Sequence, residues 1–268
     1  MKNKRYFWWE KIFDKRYLKI YSSIITEERT NREVKFLVDF IKKKFKNRKI
    51  KILDLACGYG RHSLALAEKG FNIVGVDYSN YFLKLAKKKA KELKIKNVKF
   101  LRKDMRKINF ENEFDLIISM FTSFGYFDKN EDNIKVLKNV YKALKHKGYF
   151  ILDLENPNYW YYLPLKDPKI DQEGFLFYET EVIDGELKIK IKIIFDHLNR
   201  FIILQRRWEE NGKEIFWEGK FKLFYQDEII NYPQLLGFKN IKVLGDFDFK
   251  KPFNKKSPRM IFVALKND

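Results

Sequence analysis

KILDLACGYGRHSLALAEKG (51–70) runs straight into FNIVGVDYSNYFLKLAKKKAKELKIKNVKFLRKD (71–104), and these two stretches decide the fold. KILDLA (51–56) is a short apolar run with a polar stop, the signature of a buried parallel strand. CGYGRH is a turn punctuated by glycine, and SLALAEKG (63–70) reads as a helix closed by Gly70. FNIVGVD (71–77) is a second strand, residues 79–94 a helix, and VKFLRKD (98–104) a third strand. Downstream, FDLIISMF (114–121) predicts a fourth strand, EDNIKVLKNVYKALKHKG (131–148) a helix ending in glycine, and YFILDLEN (149–156) a fifth strand. Strands alternating with helices imply right-handed crossovers, hence an α/β chain wound on both faces of a mostly parallel sheet.

At Pro157 the rhythm changes. Residues 175–183, 186–197, 201–210 and 213–225 alternate with period two, as in ELKIKIKIIFDH. Leu187, Ile189, Ile191 and Ile193 fall on one face, and Lys188, Lys190 and Lys192 on the other. Asp184-Gly185 and Asn211-Gly212 are strong hairpin signals and Asn199-Arg200 is a third turn, so this segment reads as an antiparallel meander with one polar face. A helix (227–237) and two strands (240–248 and 259–266) follow, the strands forming an antiparallel pair that brings the main sheet to seven. The first 48 residues read as mostly helical and rich in aromatics. The expected organisation is a helical cap (1–48), an α/β core (49–156), an antiparallel insertion acting as a lid (157–226), and completion of the core (227–268).

Composition removes several classes. The 268 residues are 45% apolar and 17% aromatic, which supplies far more burial than a disordered chain has. Cys57 is the only cysteine, so no disulfide can form within the chain and no cysteine-built metal site exists. The three histidines, 62, 146 and 197, sit on unrelated elements, and no metal is expected. The longest apolar stretch, 114–127, is broken by Asp115 and is too short to span a bilayer, which needs roughly 20 residues. The basic start meets Glu10 and Lys11 before any long apolar run, so the expectation is a cytoplasmic protein, monomer or homodimer, with no membrane partner. The net charge of +20 is uneven: residues 1–155 hold 37 basic and 19 acidic side chains, and the remainder 19 and 17. The excess is nearly all lysine on helix-forming runs. That reads as solvated faces first and as a polyanion surface second.

Three short elements fall where a doubly wound sheet places its ligand, beyond the carboxyl ends of adjacent strands. The first is Asp54-Leu55-Ala56-Cys57-Gly58-Tyr59-Gly60, whose paired glycines let backbone N–H groups approach a ligand closely. The second is Asp77, 19 residues after Gly58, a carboxylate able to accept both hydroxyls of a ribose. The third is Asp104, placed to accept from an exocyclic amine. Each alone has a bland reading as a turn or a helix cap. In order, each at a strand end, they point to a cofactor containing adenosine. A nicotinamide fingerprint would need a third glycine, where Arg61-His62-Ser63 stands instead, and no P-loop is present.

LDLACGYGRHS, VGVDYS, Asp104-Met105 and FDLIISMFTSFGYF, followed by LKHKGYFILDLEN, resemble class I S-adenosylmethionine-dependent methyltransferases. The likeness is strong over about residues 30–156. The opening segments and the antiparallel insertion resemble a subgroup that acts on small molecules. The resemblance implies a Rossmann-like fold and S-adenosylmethionine as cofactor. It places Gly58 and Gly60 along the methionine moiety with Asp54 nearby, and Asp77 on the ribose. Tyr78 would pack on adenine, Asp104 and the Met105 backbone would read its edge, and Met120 and Phe121 would flank the donor methyl. Ala56 stands where the family most often has glycine.

Displacement at a sulfonium asks mainly for positioning. Tyr17, Tyr21, Phe124 and Tyr126 are the candidate aromatics around the donor methyl and acceptor, and Arg259 is a candidate for a substrate anion. His62 and Arg61 read as structural, and Cys57 as a small buried side chain. A small-molecule acceptor leads. The motif [DN]-P-P-[YF] of adenine N6 enzymes is absent after the fourth strand, where Met120-Phe121-Thr122-Ser123 stands, and no cysteine is placed for cytosine C5 chemistry. An RNA methyltransferase clamping backbone with its basic half, and a protein that binds the cofactor without turnover, stay as alternatives.

Overall fold

The computed structural model describes residues 12–46, 48–163, 165, 167–184 and 187–267. Most of the 1–48 segment is helical where described: α1 (Lys15–Tyr21) and α2 (Glu27–Phe45), capped by Asp14 and Thr26. Residues 1–11, which belong to the expected cap, and Gly185 of the expected first hairpin turn lie outside the described residues. The core then runs β1 (Lys51–Leu55), α3 (Arg61–Glu68), β2 (Asn72–Asp77), α4 (Asn80–Glu92), β3 (Val98–Arg102), β4 (Phe114–Ser119), α5 (Asn130–Ala143) and β5 (Leu144–Glu155). After α6 (Pro157–Tyr162) come β6 (Lys169–Ile170), β7 (Leu176–Asp184), β8 (Leu187–Asp196), β9 (Phe201–Glu210) and β10 (Lys213–Lys222). The chain closes with α7 (Gln226–Leu235), β11 (Phe238–Leu244) and β12 (Arg259–Lys266).

The main sheet has seven strands in the order β11-β12-β5-β4-β1-β2-β3. Its first five strands in sequence pair in parallel, while β12 runs antiparallel to both β5 and β11. Alternation along each strand feeds two apolar layers. Ile52, Leu116, Ile118, Ile151 and Ile261 pack under Phe36, Leu37 and Phe40 of α2. Leu53, Ile117, Phe150, Leu152 and Phe262 pack on the opposite face under Val136, Leu137 and Val140 of α5. Each such side chain, fully buried, contributes about 1.5–3 kcal/mol. Strand order reverses between β1 and β4, and the crevice opens there.

The second sheet, β10-β9-β8-β7-β6, is the expected meander with one short added strand. Asn211 and Gly212 both hold positive φ, +54° and +71°, the conformation a two-residue hairpin requires. The inward face of the meander buries Ile189, Ile193, Ile202, Leu204, Trp208 and Trp217 against Ile20 and Tyr17 of α1. The Trp217 indole donates to the Ile12 carbonyl at 3.3 Å and so ties the segment that leads into α1 to the meander.

Several boundaries differ from expectation: the strand read over 240–248 is Phe238–Leu244, that over 213–225 ends at Lys222, and the largest shift is at a helix end. The helix predicted over 131–148 stops at Ala143, and residues 144–148 are already strand. Leu144 pairs with Phe114, and Lys147 takes φ +59°. The gain from extending the sheet outweighs the helix propensity of this lysine-rich turn.

Candidate functional site

The turn after β1 is built from left-handed backbone: Ala56 at φ +59°, Gly58 at +57° and Gly60 at +83°. The Cys57 amide donates to the Val76 carbonyl at 3.0 Å, and the Gly60 amide to the Cys57 carbonyl at 3.0 Å, fixing the loop against β2. The two glycines serve different ends. A Cβ on Gly58 would meet only Phe82, at 3.9 Å, so its open side faces the crevice. A Cβ on Gly60 would strike Phe100 at 2.9 Å and Ala86 at 3.1 Å. Gly60 therefore permits α3 to pack on α4 and β3, and it stands behind the crevice rather than on it. Ala56 accepts a conformation that costs an L side chain about 1–2 kcal/mol relative to right-handed backbone, and strain of that kind collects at binding sites.

Asp77 ties two strand tips together. Its Oδ2 accepts from the Gly58 amide at 2.8 Å and its Oδ1 from the Ser79 amide at 2.7 Å. Burial pushes its carboxyl up to about 6, although these amides favour the ionised form. Ser79 caps α4 through the Phe82 amide, and its hydroxyl donates to the Phe13 carbonyl at 2.8 Å, pinning the chain that leads into α1. At the third tip, Asp104 caps a short turn (Met105–Lys107), and Arg106 grips its carboxylate in a fork with contacts of 2.7–3.1 Å. Arg106 also reaches Asp132 at 2.9 Å. The Asp104 carboxylate thus meets any ligand with a guanidinium already on it, and the next backbone groups, those of Met105, lie beside it.

These tips line one hollow that opens to solvent. Asp54, Ala56, Gly58 and Asp77 line it from β1 and β2, and Tyr78, Asp104 and Met105 from beyond β2 and β3. Met120 and Phe121 line it from β4, and Tyr17 and Tyr126 from above. The remaining sequence candidates do not reach it. Tyr21 stacks behind Tyr17, ring centroids 4.4 Å apart, and meets the Phe121 ring edge-on at 6.0 Å. Phe124 turns into the core against Phe224, because Gly125 at φ +101° reverses the loop.

Arg259 faces away from the hollow. It is buried, with Nε on Asp153 Oδ1 at 2.7 Å, Nη1 on Glu155 and Nη2 on the Thr122 hydroxyl at 2.8 Å. The expectation of a free substrate cation is corrected: its donors are spent within the protein. The network does reach the site through Asp153. The Asp153 Oδ2 accepts from the Phe121 amide at 2.8 Å and its carbonyl from the Thr122 amide at 3.0 Å. Those contacts hold Phe121 and Thr122 in consecutive left-handed conformations, at +59° and +54°.

Several lining residues escape the sequence reading. Phe13 and Phe82 add to the aromatic wall, with Phe13 against Tyr17 at 5.3 Å and Tyr126 at 5.5 Å. The spacing Phe13, Tyr17, Tyr21 was the available signal, an aromatic stripe at helical period. Glu33 on α2 is wholly buried and accepts from Arg29 Nε at 2.9 Å and from Arg61, and it contacts His62 Nε2 at 2.8 Å. Burial alone would raise its carboxyl, but the His62 contact and the two guanidiniums hold it well below the carboxylate range. This cluster anchors Arg61 and His62 on the floor of the hollow, while Nη2 of Arg61 is buried with no hydrogen-bond partner among the described residues.

Three acidic groups on the wall of the hollow are held in their protonated forms. Burial raises the Tyr17 and Tyr126 hydroxyls above their usual range, and raises the Cys57 thiol well above its own. All three stay protonated at neutral pH. The site can position a reactant, and a base is needed only for a nucleophile that arrives protonated. Among the described residues, no group of three or more His, Cys, Asp or Glu side chains could hold a metal ion. No described helix is long and apolar enough to cross a membrane.

The profile of the methyltransferase domain family matches residues 46–218, and the chain belongs to that family. A glycine/sarcosine N-methyltransferase of Aphanothece halophytica is 29% identical over 243 residues, 90% of this chain and 83% of that protein. YqeM of Bacillus subtilis (strain 168), itself named as a methyltransferase, is 29% identical over 221 residues, 81% of this chain and 84% of that one. Among solved structures, an S-adenosylmethionine-dependent methyltransferase from Clostridium acetobutylicum ATCC 824 superposes with a TM-score of 0.78. It is 21% identical and covers 94% of this chain and 98% of its own. The protein is a methyltransferase that depends on S-adenosylmethionine, as the strand-tip motifs imply.

Three features of the hollow fit that cofactor. The left-handed Gly58 presents its open side, the Asp77 carboxylate can accept from a ribose diol, and the unpartnered Arg61 Nη2 suits a carboxylate. Since the ionised form of Asp77 is the one that accepts hydroxyls, donor affinity is expected to be flat above pH 6. It should fall as pH drops below 6, by at most tenfold per unit. Calorimetry from pH 5 to 8 checks the sign. Affinity that rises on acidification would contradict it.

Proposed function

We propose that the protein moves the methyl group of S-adenosylmethionine onto a small-molecule acceptor by in-line displacement, with catalysis by positioning. S-adenosylmethionine supplies a methyl carried on a sulfonium, a leaving group already activated by its charge. The residues do the rest. Asp77 holds the ribose, Tyr78 covers the adenine, and Asp104 with the Met105 backbone takes its edge. Ala56 and Gly58 follow the methionine chain, and Arg61 receives its carboxylate. Met120 and Phe121 flank the methyl, with Phe121 held in its bend by Asp153. Tyr17 and Tyr126 exclude water from the reacting face, and effective concentration of this kind is worth about 7–11 kcal/mol.

The observation that carries the reading is one carboxylate, Asp77, clamped between the Gly58 and Ser79 amides at the floor of an aromatic-roofed hollow. A small acceptor is supported by the roof: Phe13, Tyr17 and Tyr126 line the hollow, and the meander packs behind α1. The glycine/sarcosine N-methyltransferase relative supports the same class. The test is consumption of labelled donor in the presence of a deproteinised metabolite extract or of tRNA and rRNA. Label transfer is expected with metabolites alone. Transfer to RNA that weakens steeply with salt would replace this reading with the nucleic-acid one. Tight donor binding without consumption in either arm would make the protein a cofactor-binding one.

A further inference from the structure

A second buried guanidinium nitrogen lacks a hydrogen-bond partner among the described residues: Nη1 of Arg206. Arg206 lies on β9 and on the inward face of the meander, in alternation with the buried Ile202, Leu204 and Trp208. It is only 6% exposed, and no carboxylate pairs with it among the described residues. Other arginines nearby are matched with acids: Arg259 with Asp153 and Glu155, Arg200 with Glu228, Arg61 with Glu33. A guanidinium taken out of water without a counter-charge costs several kcal/mol. An apolar side chain would suit this face better unless the charge has a use.

What surrounds Arg206 leads back to the hollow. Its guanidinium lies over the Tyr21 ring at 4.5 Å and over Trp217, its neighbour across β10, at 5.1 Å. Tyr21 stacks on Tyr17, which lines the hollow, and touches Phe121, which lines it too. The charge of Arg206 is felt at the Tyr17 hydroxyl. Arg206 thus stands behind Tyr21, one ring back from Tyr17 and Phe121 of the hollow wall. Cation–π contacts stabilise the guanidinium faces and leave the in-plane Nη1–H groups unmet.

Resting on the reading of a small-molecule methyltransferase, we infer that the acceptor carries a carboxylate that completes Arg206, seated against Tyr17, Tyr21 and Trp217. A carboxylate there anchors the acceptor at one end and leaves its nucleophile directed at the donor methyl. The charge on Arg206 is then the specificity element of the lid, and the meander has a chemical as well as a covering role.

The test uses the full chain saturated with S-adenosylhomocysteine. It is titrated with glycine, β-alanine and benzoate, and separately with their primary amides, following tryptophan fluorescence because Trp217 lies against Arg206. The expected result is saturable binding of at least one carboxylate, at least tenfold tighter than its amide, with the difference abolished in Arg206→Met and partly kept in Arg206→Lys. S-adenosylhomocysteine affinity should stay within twofold of wild type in both variants, which separates a lost anion site from a lost fold. Equal response to acids and amides in the wild type, preference surviving in Arg206→Met, or inorganic phosphate replacing the carboxylates would each overturn the inference. Failure of the wider reading looks different: no binding of S-adenosylhomocysteine at all.

Discussion

Replacement of Asp77 with alanine is expected to weaken binding of S-adenosylmethionine by about 2 kcal/mol or more, roughly thirtyfold in Kd. Two losses combine. The donor's ribose hydroxyls lose a charged acceptor, and the Gly58 and Ser79 amides lose the oxygens they hold at 2.8 and 2.7 Å. The second loss loosens the turn that carries Gly58, so the methionine contacts suffer as well. Asp77→Asn keeps one oxygen and the shape, and should fall between wild type and alanine while losing the dependence on pH below 6. Isothermal calorimetry of the three proteins settles the matter. Unchanged affinity in Asp77→Ala would defeat the assignment of this carboxylate to the donor.

Arg259→Met is expected to cost about 3–5 kcal/mol of folding stability, the usual penalty for removing one partner of a buried ion pair. Asp153 is wholly buried, and without Arg259 its carboxylate keeps, among the described residues, only the Phe121 amide. Burial already raises the Asp153 carboxyl, so the orphaned group would take up a proton rather than stay charged. Its hold on Phe121 would weaken, and the left-handed pair Phe121–Thr122 would relax, moving the wall that flanks the donor methyl. Arg259→Lys restores charge but not the three-way fork onto Asp153, Glu155 and Thr122, and should recover little. Replacing both partners, Asp153→Leu with Arg259→Met, removes the uncompensated charge and should recover part of the stability. Urea unfolding measures all three. A loss under 1 kcal/mol in Arg259→Met would show that the network is not a stabilising one.

Much of this architecture is legible in the residues, for physical reasons. Parallel strands buried on both faces must be short apolar runs, and KILDL, NIVGV and FDLIIS announce themselves as such. The meander is legible because its faces differ, lysines outward and isoleucines inward. The strand-tip carboxylates are legible because each follows its strand directly, so sequence position fixes spatial position. Harder cases need contacts between distant segments. Residues 144–148 read as the end of a helix, since pairing with Phe114 cannot be seen from their own composition. Glu33 carries no sign of burial in its own stretch of sequence, and only the fold brings it to Arg61 and His62. Arg259 could be read as a free cation because its partners Asp153 and Glu155 lie more than a hundred residues earlier. Tyr17 and Tyr126 roof the site as aromatics should, whereas Phe124, two residues before Tyr126, is turned into the core by the glycine between them.

The central claim is that three strand tips together grip one nucleoside cofactor, and a crystal structure with S-adenosylhomocysteine tests it most directly. The account predicts the ribose on Asp77, the adenine beside Tyr78 and Met105, and the amino-acid end along Ala56–Gly58 with its carboxylate at Arg61. A ligand bound elsewhere, or in this hollow with its ribose away from Asp77, would contradict it.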